Sequence, residues 1–326
     1  MRPNSSKYPS IPRVVILCVF FCSQCAAVVA SPPKQPLHVY LLAGQSNMEG
    51  QGVVDLDHPQ YYNGGRGILK NVMKEPGNLK RYKHIQDANG KWVIRDDVWC
   101  RFQTKNELKA GALTIGFAGY PGKHHIGPEF QFGHVLGDAT AAPVLLIKTA
   151  WGGKSLYADF RPPGSGGTVG PYYKKMIEEV RAALAALGNR KYRISGFVWF
   201  QGWNDMVNKD ARAEYTVNMV NLAADIRKEF KLPRLPVVIG ELGNMGEKAG
   251  GGMAELRKAQ ASAASSPKLG KGTVAFVKTT PFARPKELSP NTGHGHHWFG
   301  NAESYFLIGD ALGKAMVKLL ETAKTN

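Results

Sequence analysis

Five strand-length apolar runs recur along this chain, and nearly all the segments between them are long enough to hold a helix. The runs lie at residues 36–42, 143–149, 194–200, 236–240 and 273–278, with Lys148 as the one charge inside the second. Near-continuous runs of this kind are what strands buried on both faces require. Helical signals fill residues 127–136, 171–187, 211–230, 253–264 and 301–320. Pro128 suits a first helical turn. Tyr173, Ile177, Val180, Leu184 and Leu187 share one face before Gly188 ends that helix. Tyr305, Ile308, Leu312, Ala315 and Leu319 line the inner face of the last one. Strands alternating with helices of ten or more residues predict an α/β fold, a three-layer α/β/α sandwich around a central, mostly parallel sheet.

The first thirty residues read differently. Arg2, Lys7 and Arg13 precede a mostly apolar stretch at 14–29, and Val28-Val29-Ala30 stands before Ser31-Pro32-Pro33. This is the pattern of an export signal cleaved after Ala30. Ser23 and Gln24 interrupt the stretch, which is short for a membrane span. The expectation is a secreted or periplasmic protein without a stable membrane anchor. Residues 31–326 then form one domain, with residues 55–111, polar and weakly periodic, as an insertion over the active face.

Composition narrows the chemistry. Cys18, Cys22 and Cys25 fall in the leader, so Cys100 alone remains and no internal disulfide is available. The net charge of +17 drops to +14 once the three leader cations leave. The remaining basic residues are scattered pairs with no nucleic-acid motif, so no nucleic-acid partner is expected. A solvated basic surface and attraction to an acidic polymer both fit that charge. Nothing in the sequence sets an oligomeric state.

In a parallel sheet the working residues sit on loops after the carboxyl ends of strands. Ser46 follows the first strand, in Gly44-Gln45-Ser46-Asn47-Met48. A serine presented on a turn there suits a nucleophile, though the sequence is not G-x-S-x-G. Gly152-Gly153 follow the second strand, where backbone N–H groups can approach an oxyanion. Asn204 follows the third and brings an amide donor. His294-Gly295-His296-His297 precedes the last helix and supplies a general base. Each of these residues also has an ordinary use as a turn, cap or core residue, and three histidines within four residues are also compatible with a metal site. Their joint occurrence at strand ends favours ester hydrolysis.

The chain resembles the SGNH hydrolases, and within them the sialate O-acetylesterase-like, carbohydrate esterase family 6-like group. Gly44-Gln45-Ser46-Asn47-Met48 is similar to the first block, Gly153 to the second-block glycine, Gly202-Trp203-Asn204-Asp205 to the third block, and His297-Trp298-Phe299-Gly300-Asn301-Ala302-Glu303 to the histidine block. The resemblance covers about residues 36–320. It implies a flavodoxin-like sandwich and a serine carbohydrate O-acetylesterase acting on acetylxylan or sialate-type glycans, without cofactor or metal. Ser46 is then the nucleophile and His297 the base, with Ser46, Gly153 and Asn204 forming the oxyanion hole. One departure stands out. The superfamily's histidine block reads D-x-x-H, but His294 stands three residues before His297. The acid is therefore absent, with a backbone carbonyl helping a Ser–His dyad, or it comes from Glu241 or Asp205. His296 is the alternative base. A carbohydrate-binding chain that has lost turnover is the alternative function. Trp151, Trp203 and Trp298 flank the proposed site and are equally readable as sugar platforms or as core.

Overall fold

A computed structural model of the chain describes residues 35–325. The leader assigned to residues 1–30, with its cleavage point, lies outside the described residues. The strands are β1 (Leu37–Gly44), β2 (Gly52–Val53), β3 (Val98–Gln103), β4 (Leu108–Ala112), β5 (His125–Ile126), β6 (Val144–Ala150), β7 (Tyr192–Phe200), β8 (Val237–Gly240) and β9 (Val274–Val277). Seven of them form one sheet in the order β4-β3-β6-β1-β7-β8-β9. All neighbours are parallel except β3 and β4. A separate antiparallel pair joins β2 to β5.

Alternation along the strands builds the three layers, because successive side chains point to opposite faces. Tyr40 and Leu42 of β1 pack with Phe130, Phe132, Tyr305, Ile308 and Leu312, which lie on α4 (Glu129–Ala139) and α9 (Ala302–Thr325). Val39, Leu41 and Ala43 face the other way. They meet Met176 and Val180 of α5 (Pro171–Ala185), Tyr215 and Met219 of α7 (Lys209–Glu229) and Leu256 of α8 (Gly252–Ala264). The predicted sandwich is the observed one.

Two details differ from expectation. Residues 98–112 are not laid over the active face. They form β3 and β4 and extend the sheet at its edge. Their alternating Val98, Cys100 and Phe102 are buried, which is the signature of a sheet strand. Leu69, Val72 and Tyr82, from the turns α2 (Leu69–Val72) and α3 (Leu79–Tyr82), join the core beneath α9. Strand β1 also runs two residues past residue 42, to Gly44, which pairs with Ala150 on one side and Phe200 on the other. A Cβ at Gly44 would stand 2.1 Å from the Phe200 carbonyl oxygen, so only glycine lets β1 and β7 close here. Among the described residues no helix is long and apolar enough to cross a membrane.

Candidate active site

The carboxyl ends of β6, β1, β7 and β8 are adjacent, and the loops leaving them converge. Ser46 opens the single turn α1 (Ser46–Glu49), directly after Gly44 has ended β1. Its neighbour Gln45 is buried and ties this turn to the loop after β7. Gln45 Oε1 accepts from the Gly202 N–H (3.1 Å) and the Asn204 N–H (3.4 Å), while Gln45 Nε2 donates to Asn204 Oδ1 (3.2 Å). With its oxygen engaged, Asn204, on α6 (Trp203–Met206), turns its own Nδ2 away from Gln45 as a donor.

The histidine segment folds over this platform. Residues Gly295–Gly300 form a distorted 3-10 turn in which Trp298 and Phe299 both take left-handed backbone angles, φ 55° and 53°. That twist brings His297 Nε2 to 2.9 Å from Ser46 Oγ across 251 positions of sequence. Two amides hold the main chain at this point. Asn47 Nδ2 donates to the His296 carbonyl (3.2 Å), and Asn244 Nδ2 donates to the carbonyls of His296 (3.0 Å) and Gly295 (3.1 Å). Tyr305 Oη, from α9, lies 2.9 Å from Asn47 Oδ1 and 3.3 Å from the His297 carbonyl.

A second group meets the same ring nitrogen. Tyr120 donates its hydroxyl to Gln51 Oε1 (2.7 Å), which turns Gln51 Nε2 toward His297 Nε2 at 3.3 Å. Two donors, the Ser46 hydroxyl and the Gln51 amide, therefore face Nε2. That nitrogen carries the lone pair, and the ring proton sits on Nδ1. Burial holds the His297 pKa down at about 3, with the neighbouring His296 and His294 rings adding to the effect. The neutral, proton-accepting form is the resting one.

Neither carboxylate suggested as an orienting acid reaches His297. Its Nδ1 is buried and has no hydrogen-bond partner among the described residues. Asp205 is fully buried under the β7 loop and spends its oxygens on the N–H groups of Leu156 (2.8 Å) and Tyr157 (2.9 Å) and on Gln201. Glu241 Oε2 accepts from the N–H groups of Thr279 (2.9 Å) and Thr280 (3.0 Å) and so pins the loop after β9. Both carboxylates satisfy buried backbone donors that would otherwise be orphaned, which gives them structural work away from His297.

The other expected residues divide as well. Gly152 lies against Ser46, since a Cβ there would stand 3.7 Å from Ser46 Cβ and 3.2 Å from Glu49 Oε2. The Gly152 N–H donates to the half-buried Glu49 carboxylate, whose pKa burial raises. Gly153 follows with φ +71° and open space where a side chain would project. The His296 ring lies against His297 with centroids 4.0 Å apart and planes tilted by 54°, and it also meets Trp203 at 5.7 Å. Trp203 is half-buried at the site edge. Trp151 and Trp298 are core residues: Trp151 packs on Phe160 and Tyr172, and Trp298 lies in the cluster beneath α9. Among the described residues no set of three or more His, Cys, Asp or Glu side chains is gathered for a metal ion.

The sequence pattern of the carbohydrate esterase, sialic acid-specific acetylesterase family matches residues 36–318, nearly the whole described chain. The chain belongs to that family. This esterase is similar to a probable carbohydrate esterase of Arabidopsis thaliana, at 23% identity over 232 residues that make up 70% of this chain and 76% of the relative. The solved structure of that plant protein superposes with a TM-score of 0.55 at 17% identity, covering 86% of this chain and 98% of the other. The structure of NanS gives 0.54 at 16% identity, over 91% of this chain and all of the other. XAC1771, described as a carbohydrate acetylesterase from Xanthomonas citri, gives 0.52 at 15% identity, over 85% of this chain and 55% of the other. At these identities the superpositions speak for the shared α/β fold, and the family match makes the chain a carboxylic ester hydrolase.

Three parts of the esterase's site escaped the sequence reading. One is the Gln51–Tyr120 arm and another is Asn244. The third is Lys148, the charge inside a buried strand, and it was legible as an anomaly. Its Nζ is fully buried and donates to Glu129 Oε2 (2.6 Å) and to the carbonyls of Phe117 (2.8 Å) and Glu49 (2.8 Å). The last bond fastens the end of the Ser46 turn to β6.

Proposed function

We propose that the chain is an exported serine esterase that removes O-acetyl groups from carbohydrate through an acetyl-serine intermediate. The observation that carries this reading is the 2.9 Å contact between Ser46 Oγ and His297 Nε2, with the ring neutral. Ser46 Oγ attacks the acetyl carbonyl as His297 Nε2 takes its proton. The oxyanion that forms is stabilised by the Ser46 and Gly153 N–H groups and by Asn204 Nδ2. Collapse breaks the bond to the sugar oxygen, which receives the proton from His297. Water, deprotonated by the same nitrogen, then attacks the acetyl-serine and releases acetate, and Ser46 regains its proton. An imidazolium without a carboxylate on Nδ1 is less stabilised than one in a full triad. That feature is what favours the second reading, a carbohydrate-binding chain without turnover.

The decisive experiment follows acetate release from 4-nitrophenyl acetate and acetylated xylan by the purified mature chain, beside Ser46→Ala and His297→Ala. Loss of release in both variants, with fluorophosphonate labelling at Ser46 in the wild type, is the expected result. Equal rates for wild type and Ser46→Ala reject the serine mechanism, and absence of both turnover and labelling selects the binding reading. Export is checked separately: the protein recovered outside the cytoplasm should begin at Ser31, and full-length chain retained inside would overturn it.

A further inference from the structure

A cleft of about 640 Å³ opens beside His297, and the mechanism above does not use it. Its wall is continuous with the catalytic groups. Tyr120, which donates to Gln51, lines it, and so does His294, whose ring meets the His297 ring edge-on with centroids 6.2 Å apart. The 59–63 segment, with Tyr61, Tyr62 and Asn63, lines it as well. Beyond Asn63, Thr292 and Gly293, which both spaces share, a second depression of about 390 Å³ continues away from the dyad. The first space alone falls within the ~300–1,000 Å³ usual for small-ligand sites, so the combined groove exceeds what one acetylated sugar needs.

The lining has a particular chemistry. Tyr61 is 64% exposed, an unusual position for a large aromatic ring, and it is propped by His58 at 4.8 Å. Tyr120 is 39% exposed and stacks on His125 at 4.5 Å, with ring planes 29° apart. Each ring thus has a second ring supporting it and a surface open to solvent. Flat, pre-positioned aromatic surfaces bury the C–H faces of sugar rings at little entropic cost, while hydroxyl and amide groups between them bond the sugar's edges. Among the described residues no Lys, Arg, Asp or Glu lines the main cleft. Arg66 and Lys286 appear only in the second depression, together with Glu287.

We propose that this groove is a glycan-chain site, holding neutral sugar units linked to the acetylated one, with Tyr61 and Tyr120 as platforms. The substrate class is then an acetylated oligo- or polysaccharide of neutral sugars, not a free acetylated monosaccharide or an acetylated sialate. This rests on the esterase reading of Ser46 and His297.

The test compares kcat/KM across acetylated neutral oligosaccharides (xylo-, manno- and gluco-configured tetramers), their acetylated monosaccharide glycosides, an O-acetyl sialoside and 4-nitrophenyl acetate. The best tetramer is expected to exceed its monosaccharide at least tenfold, mainly through KM. Tyr61→Ala should collapse that ratio and Tyr61→Phe should restore it. Calorimetry of the unacetylated tetramers with the whole chain reads the groove without turnover: binding by wild type and loss in Tyr61→Ala are expected. Equal handling of tetramer and monosaccharide, preference for the sialoside, or a ratio and binding unmoved by Tyr61→Ala would each overturn the groove. Ser46-independent release of acetate from 4-nitrophenyl acetate would overturn the esterase reading alone, leaving the calorimetry to judge the groove.

Discussion

The two halves of the site are held in opposite ways. On the serine side, side chains from several strand ends lock the backbone. Gln45 joins the Ser46 turn to the β7 loop, and Lys148, itself held by a buried ion pair with Glu129, joins it to β6 by donating to the Glu49 carbonyl. On the histidine side the chain is strained. Trp298 and Phe299 are non-glycine residues in the left-handed region, which costs of order 1–3 kcal/mol each and persists only where surroundings over-determine it. Here the determinants are two amides, Asn47 and Asn244, converging on the His296 carbonyl. The lesson is that the His297 ring is aimed through the main chain beside it and through groups on its Nε2, with no carboxylate on Nδ1.

The sharpest way to break the serine side is Lys148→Met. It strips the partner from a fully buried Glu129 carboxylate, and removing one member of a buried pair typically costs about 3–5 kcal/mol. Urea denaturation should show a loss of that size, much of it recovered in Lys148→Met/Glu129→Gln, where no buried charge remains. A loss under about 1 kcal/mol, the range of exposed pairs, would mean the pair does not organise the turn.

The matching change on the histidine side is Asn244→Ala. Two carbonyls lose a donor, for which about 1–3 kcal/mol is expected per group left unsatisfied. The larger effect should be on turnover. A shift of about 1 Å in a catalytic group can cost roughly a hundredfold, so kcat should fall by about ten- to a hundredfold in a chain that still folds. Unchanged kcat with lowered Tm would show that Asn47 alone aims the ring.

What the sequence disclosed follows the same division. Strand and helix positions were readable because burial on both faces leaves an apolar run and burial on one face leaves a helical stripe. Ser46, Asn204 and His297 stood out as candidates because Ser46 and Asn204 follow strand ends and His297 precedes the final helix, and the fold brings these three segments together. The edge strands β3 and β4 read as part of the insertion, with only Val98-Trp99 strand-like, since half-exposed strands carry polar residues at alternate positions. Glu241 and Asp205 were misjudged as possible acids because a carboxylate after a buried strand reads alike whether it faces a ring nitrogen or a row of backbone N–H groups. Gln51, Tyr120 and Asn244 left no signal, because their roles depend on side-chain direction across more than fifty residues of separation.

The reactive nitrogen's own neighbourhood gives the next test. In the wild type His297 is held neutral down to a pKa of about 3, so the acid limb of kcat/KM should lie far below the ordinary histidine range near 6.5. Gln51→Glu places an acid beside Nε2 and favours the protonated ring. The His297 pKa must then rise, and the acid limb must move to higher pH, while the rate above pH 8 changes less. An acid limb that stays in place would remove Gln51 from contact with the base.

The smallest effect separates the two adjacent histidines. His296 contributes its carbonyl to the amide clamp, and its ring only packs at a tilt against His297 and lowers that ring's pKa after burial has done most of the work. His296→Ala keeps the carbonyl and removes the neighbouring ring. The acid limb should therefore move upward slightly, and kcat at pH 7 to 8 should change by a few-fold, from looser packing against Trp203. His297→Ala in the same assay should lose the ~10²–10⁴-fold that a general base supplies. If the larger loss fell on His296→Ala instead, the 2.9 Å contact with Ser46 would belong to a resting arrangement, and the working base would have to swing in from the neighbouring position.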